Sequence, residues 1–86
     1  MILVSGIVQG VFYRNHANQK ARKLGITGFV KNEPDGRVLV VAEGKEEKLK
    51  ELIEWTKRGP LLAKIEKIEV EWDKAKGEFI DFKILY

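Results

Sequence analysis

At 86 residues the chain has room for one small domain, spanning 1–86, with a single core that needs no covalent staples. It contains no cysteine, which excludes disulfides and thiolate metal sites, and it has neither an apolar run of the ~18 residues that span a membrane nor a secretory pattern, so a cytoplasmic chain with no membrane partner is expected. Sixteen Lys and Arg and thirteen Asp and Glu are interspersed, so the net charge of +3 reads as a solvated mixed-charge surface, and no nucleic-acid partner is expected.

Residues 2–8 are an apolar, β-branched run, expected as a buried strand. From Tyr13 the period changes. Tyr13, Ala17, Ala21 and Leu24 fall on one helical stripe, Lys20, Arg22 and Lys23 suit the negative end of its dipole, and Gly25 stands where a helix-ending glycine belongs. Residues 26–32 read as a second strand. Glu33-Pro34-Asp35-Gly36 is turn chemistry, and residues 37–43 return as a third strand, completing a hairpin. Gly44 interrupts the pattern. Residues 45–58 form a second amphipathic helix with Leu49, Leu52, Ile53 and Thr56 on one face. Glu46 and Glu47 lie in its first turn, Lys57 and Arg58 in its last, and Gly59-Pro60 stops it. Further on, in residues 65–72, Ile68, Val70 and Trp72 are expected to point inward. Residues 74–77 read as a turn, and Phe82, Ile84 and Tyr86 alternate with Asp81 and Lys83 in a last short strand.

The order β-α-β-β-α-β plus one strand predicts an α+β, ferredoxin-like sandwich: an antiparallel sheet of four strands with a short fifth, and two helices on one face. In that topology the first strand lies beside the third and the second lies beyond the third. The first and second strands then run parallel, and their C-terminal ends share a rim about 10 Å apart. The loop after the first strand should therefore meet Asn32, which ends the second.

That loop, Gln9-Gly10-Val11-Phe12-Tyr13-Arg14, joins a strand to a helix N-terminus, where free N–H groups and the dipole favour an anion. Gly10 allows a nest of N–H groups, and Arg14 adds a planar charged fork suited to phosphate. On spacing alone two readings stand: a phosphate cradle, or a plain strand-to-helix connection with Arg14 in a surface ion pair. Asn32 likewise either serves a ligand or shapes the turn that follows. The chain has no Walker or GxGxxG pattern, no metal-ligand spacing and no serine nucleophile motif. His16, the lone histidine, reads as structural or solvated rather than as a phosphoryl acceptor or base. Two rival classes share the element order. One is an RNA-recognition module, of which Gly28-Phe29-Val30 is a faint echo without its basic and aromatic companions; the other is a small-anion sensor without turnover.

Val4-Ser5-Gly6-Ile7-Val8-Gln9-Gly10-Val11-Phe12-Tyr13-Arg14 resembles the acylphosphatase signature V-x-G-x-V-Q-G-V-[GF]-[FY]-R. Leu24-Gly25-Ile26-Thr27-Gly28-Phe29-Val30-Lys31-Asn32 resembles the same family's L-G-[LIV]-x-G-[WFY]-[VA]-x-N. Pro34-Asp35-Gly36-Arg37-Val38, Glu43-Gly44, Trp55, Gly59-Pro60 and Ala63 also match, so the resemblance covers nearly the whole chain. It departs at Phe29, where tryptophan is common, at Phe12-Tyr13, where Gly-Phe is frequent, and in a shorter N-terminus.

The resemblance implies the ferredoxin-like fold and hydrolysis of the carboxyl–phosphate bond of acyl phosphates without metal or cofactor. It implies that Arg14 and Asn32 are catalytic, Arg14 binding phosphate and Asn32 positioning the attacking water. The amides of Gln9, Gly10, Val11, Phe12, Tyr13 and Arg14 would form the phosphate-binding loop. The expected partner is a small-molecule acyl phosphate, with inorganic phosphate as product and inhibitor, and the chain is expected to be a monomer. So sparse a site suits this chemistry. The leaving carboxylate has a conjugate-acid pKa of about 4–5 and needs no general acid, and charge in the loose transition state sits on oxygens that the cradle can hold.

Overall fold

Seven elements appear in the expected order in the computed structural model, which describes residues 1–86: β1 (Ile2–Ile7), α1 (Tyr13–Lys23), β2 (Thr27–Asn32), β3 (Val38–Glu43), α2 (Glu46–Arg58), β4 (Lys64–Val70) and β5 (Phe82–Leu85). The strands form one sheet in the order β4-β1-β3-β2-β5. The first four pair antiparallel, as anticipated. The fifth does not: β5 pairs parallel to β2, so the sheet is mixed. The direction follows from the route of the chain. It leaves β4 at the end of the sheet opposite Asn32, crosses that end through residues 71–81, and can only re-enter running the way β2 runs.

The core is built from alternate residues of each strand, because successive side chains point to opposite faces. Register lines them up in rows. One row runs Val70–Ile2–Val40–Val30–Ile84 across the whole sheet, and the next runs Ile68–Val4–Val38–Asn32. Tyr13, Ala17 and Ala21 of α1 and Leu52 of α2 join Ile2, Val4, Val30, Val38, Val40 and Phe82 in one buried cluster, which puts both helices on the same face. Two alanines at the centre of the α1 stripe let that helix approach the sheet closely. The β1–β4 ladder shifts register between Ser5 and Gly6, leaving Glu66 as an extra residue on β4. This bulge lets Ile65 and Ile68, three apart, both pack on the core.

Two expected inward positions are corrected, and the last strand stops one residue short of Tyr86. β4 is an edge strand that ends at Val70, leaving Val70 39% exposed and Trp72, already in the crossing segment, 51% exposed. Tyr86 lies beyond the end of β5 and is 97% exposed. Alternation predicts burial only while a ladder and a covering helix continue. On this packing Leu52→Ala is expected to lower unfolding free energy by about 2–5 kcal/mol, whereas the fully exposed Leu61→Ala should stay within about 0.5 kcal/mol of the parent; chemical denaturation of both variants checks the contrast.

Candidate active site

β1 delivers the chain to a loop held at both ends by the core. Val8 and Tyr13 are each 1% exposed. The Tyr13 hydroxyl donates to the Thr56 carbonyl at 2.9 Å, and its ring centroid lies 5.1 Å from that of Trp55. Between these anchors the backbone turns through two left-handed residues, Gly10 at φ 75° and Phe12 at φ 64°. Glycine adopts this region freely, but phenylalanine does so at a cost of order 1–3 kcal/mol. His16 is the first residue of α1 whose N–H reaches a carbonyl, that of Phe12 at 3.1 Å. No N–H of residues 9–15 donates to any loop, turn or cap carbonyl. With no acidic residue in the first turn of α1, the positive end of its dipole is not neutralised from within.

Arg14 stands at the rim of this loop, half-buried and free of ion pairs, so the surface salt-bridge alternative is not what the structure contains. Its Nη1 donates to the Leu85 carbonyl at 3.3 Å, and the guanidinium carbon lies 4.9 Å from the centre of the Tyr86 ring. The chain tail therefore steadies the arginine, because β5 runs parallel to β2 and arrives at the same rim. Sequence reasoning missed this partnership, since nothing local to residues 82–86 marks their direction.

Asn32 occupies a core-facing position. Val30 and Asn32 are two apart on β2, and Asn32 pairs with Val38 in the row that contains Val4. Its Oδ1 is buried with no hydrogen-bond partner. Such an orphan costs about 1–3 kcal/mol, so it calls for a reason beyond packing. Turn shaping does not provide one, because residues 33–37 close their own turn. Glu33 N–H donates to the Arg37 carbonyl at 2.8 Å, and Gly36 N–H to the Glu33 carbonyl at 3.1 Å. Asp35 accepts from the Arg37 N–H at 3.1 Å and pairs with its guanidinium at 2.7 Å, a hydrogen bond that holds the Asp35 carboxyl below its usual range.

The predicted loop residues divide by what they can offer. Gly10 has only its backbone, Val11 packs against the core, Tyr13 is committed to Thr56, and Phe12 is 66% exposed. Gln9 turns its side chain away from the loop: Nε2 donates to the Glu33 carbonyl at 2.8 Å and to the Arg37 carbonyl at 2.9 Å. That bridge was not anticipated. His16 is exposed and its side chain makes no hydrogen bond. No three His, Asp or Glu side chains converge anywhere in the chain. A cleft of about 370 Å³ lies at the opposite end of the sheet, near Met1, Glu43 and Trp72. A phosphate-sized anion needs donors rather than depth, and the donors are at the Arg14 rim.

Fold and rim together define a small α+β protein of ferredoxin-like topology with an anion-receptive strand-to-helix loop. The acylphosphatase family model matches residues 1–84. Acylphosphatase of Methylococcus capsulatus is 49% identical over 84 residues, 98% of this chain and 91% of that protein. Acylphosphatase of Marinobacter nauticus is 51% identical over 82 residues, 95% of this chain and 89% of its own length. The crystal structure of acylphosphatase from Bacillus subtilis superposes with a TM-score of 0.95 at 38% identity, covering 99% of this chain and 94% of that one. The chain belongs to the acylphosphatase family and is a hydrolase of small acyl phosphates.

Burial pushes the Tyr13 phenol above its ordinary value of 10.0. Folding therefore favours the neutral phenol, a contribution that is complete below pH 10 and is lost as pH rises beyond it. Denaturation of the parent and of Tyr13→Phe at about pH 8 and about pH 11 is expected to show the smaller alkaline loss in the variant.

Proposed function

We propose that the rim carries out acyl-phosphate hydrolysis with three parts. The amides of Gln9, Gly10, Val11, Phe12, Tyr13 and Arg14 hold the phosphoryl oxygens. The Arg14 guanidinium adds a charged fork. Asn32 holds a water over phosphorus. The water oxygen bonds to phosphorus as the bond from phosphorus to the carboxyl oxygen breaks. The carboxylate leaves with that electron pair, and the water's proton passes to a phosphoryl oxygen, giving carboxylate and inorganic phosphate. No protein base is required, and a carboxylate base near the cradle would repel the substrate's own charge. Charge on the outer oxygens of the loose transition state meets donors already in place, so little reorganisation accompanies the reaction.

The observation that carries this reading is the buried, unpartnered Oδ1 of Asn32 on the row that ends beside the loop of unbonded amides. An acceptor there suits one proton of a water whose oxygen faces phosphorus. The same reading takes the chain as one domain over 1–86 and as a cytoplasmic monomer. Inorganic phosphate acts as a competitive inhibitor, and no nucleic acid or metal takes part.

Hydrolysis of benzoyl phosphate is expected to persist in chelator and to be inhibited competitively by inorganic phosphate. Loss of activity in chelator that a divalent ion restores would contradict it. Arg14→Ala is expected to remove nearly all turnover and weaken phosphate binding, with poor rescue by Arg14→Lys because a point charge lacks the fork; His16→Ala serves as the control, with near-normal rates. Asn32→Ala should lower kcat by ~100-fold or more, about 2.7 kcal/mol, while the inhibition constant of phosphate changes much less. An Asn32→Ala protein that melts earlier yet turns over normally would make Asn32 a structural residue.

A further inference from the structure

β1 and β2 are not neighbours; β3 lies between them. The β1–β3 ladder stops at Val4–Val38, and the β2–β3 ladder stops at Asn32–Val38. At the rim, β1 continues through Ser5, Gly6 and Ile7 with no β3 backbone on that side, because the chain before Val38 has turned into residues 33–37. The sheet therefore does not join the cradle to the segment carrying Asn32. Hydrogen bonds between the two come from one side chain. Both protons of the Gln9 amide are used, on the carbonyls of Glu33 and Arg37 at 2.8 and 2.9 Å. The Arg37 carbonyl also accepts the Glu33 N–H at 2.8 Å, so Gln9 grips a turn that is already closed, at the residue directly after Asn32.

Two carbonyl acceptors fix which way this amide points, because its oxygen in that place would face two other oxygens. With both protons committed, the side chain has only an acceptor left, which an anion does not want. We infer that Gln9 is a positioning residue: its side-chain amide sets the separation between the phosphate cradle and Asn32, and it acts on turnover through Asn32 and not through the substrate. The inference rests on the proposed role of Asn32. In it Gln9 has two separate duties, its backbone N–H belonging to the cradle and its side chain to the span across the gap. Losing the side-chain amide leaves the cradle able to bind phosphate but lets the water drift from the line of attack, and misplacement on the scale of ~1 Å costs ~100-fold in favourable cases.

The test is a double-mutant cycle on benzoyl phosphate turnover with Gln9→Met, which keeps the length of the side chain without its donors. Gln9→Met is expected to lower kcat by about 10–100-fold and to leave the inhibition constant of inorganic phosphate within about threefold. In an Asn32→Ala background the same change should cause little further loss, because the two act as one unit. Gln9→Asn, a donor one methylene too short for both carbonyls, should fall with Gln9→Met, and it carries the comparison if the methionine variant does not fold. Unchanged kcat in both variants, loss of phosphate binding in step with kcat, or full additivity with Asn32→Ala would each overturn the role of Gln9. The two readings fail differently. If Asn32→Ala alone leaves kcat intact, the water-positioning reading falls and takes this inference with it. If Asn32→Ala is slow but Gln9→Met adds to it fully, only the inference falls.

Discussion

The N–H groups of residues 9–15 have no carbonyl to serve, and the surrounding structure keeps them so. Left free, a loop of this kind would close on itself or on the helix. Val8 and Tyr13 prevent that by anchoring its two ends in the core, and the left-handed turns at Gly10 and Phe12 hold the backbone between them away from helical geometry. Strain at Phe12 is sustained because the anchors over-determine the path. Arg14 follows one residue after the second anchor, so the rigidity of Tyr13 against Thr56 and Trp55 carries over to the arginine. Donors that cannot find a partner within the chain are pre-organised for one that comes from outside, and an anion is the partner they suit.

A second consequence of the topology is that the acceptor side of the rim is built separately. Asn32 is a polar residue at the end of a core row, one pairing away from Val38 and two from Val4. Cradle and asparagine approach because β1 and β2 run in the same direction with β3 between them, yet the ladders themselves end before the rim. In the proposed mechanism this division has a chemical counterpart: one half holds the phosphoryl group and the other holds the nucleophile. An acyl phosphate needs little else, since its leaving group departs as a stable carboxylate.

Much of this was legible in the sequence because the periods are clean. The stripe from Tyr13 to Leu24, the strand run in residues 26–32 and the turn chemistry at residues 33–36 each depend on local chemistry, and the structure has a helix, a strand and a closed turn there. Topology then brought Gly10, Arg14 and Asn32 to one rim without any local signal. What local pattern could not give was the direction of β5, the exposure of Trp72 and Tyr86 past the ends of their ladders, and the meeting of Leu85 and Tyr86 with Arg14. The side chain of Gln9 was hidden for a related reason. Its partners are backbone carbonyls of Glu33 and Arg37, and a carbonyl leaves no trace in residue type. One local signal does point to Asn32: two residues after Val30, it sits at an inward position of its strand, where an amide needs a partner or a purpose.

The atom that water attacks distinguishes a phosphoryl cradle from an acyl-binding site most directly. If the cradle holds the phosphoryl group and Asn32 holds water over phosphorus, hydrolysis of benzoyl phosphate in water enriched in oxygen-18, followed by mass spectrometry of both products, should place the label in inorganic phosphate and none above background in benzoate. Label recovered in benzoate at the enzymatic rate would mean attack at the acyl carbon, and would contradict the assignment of the phosphoryl group to this loop.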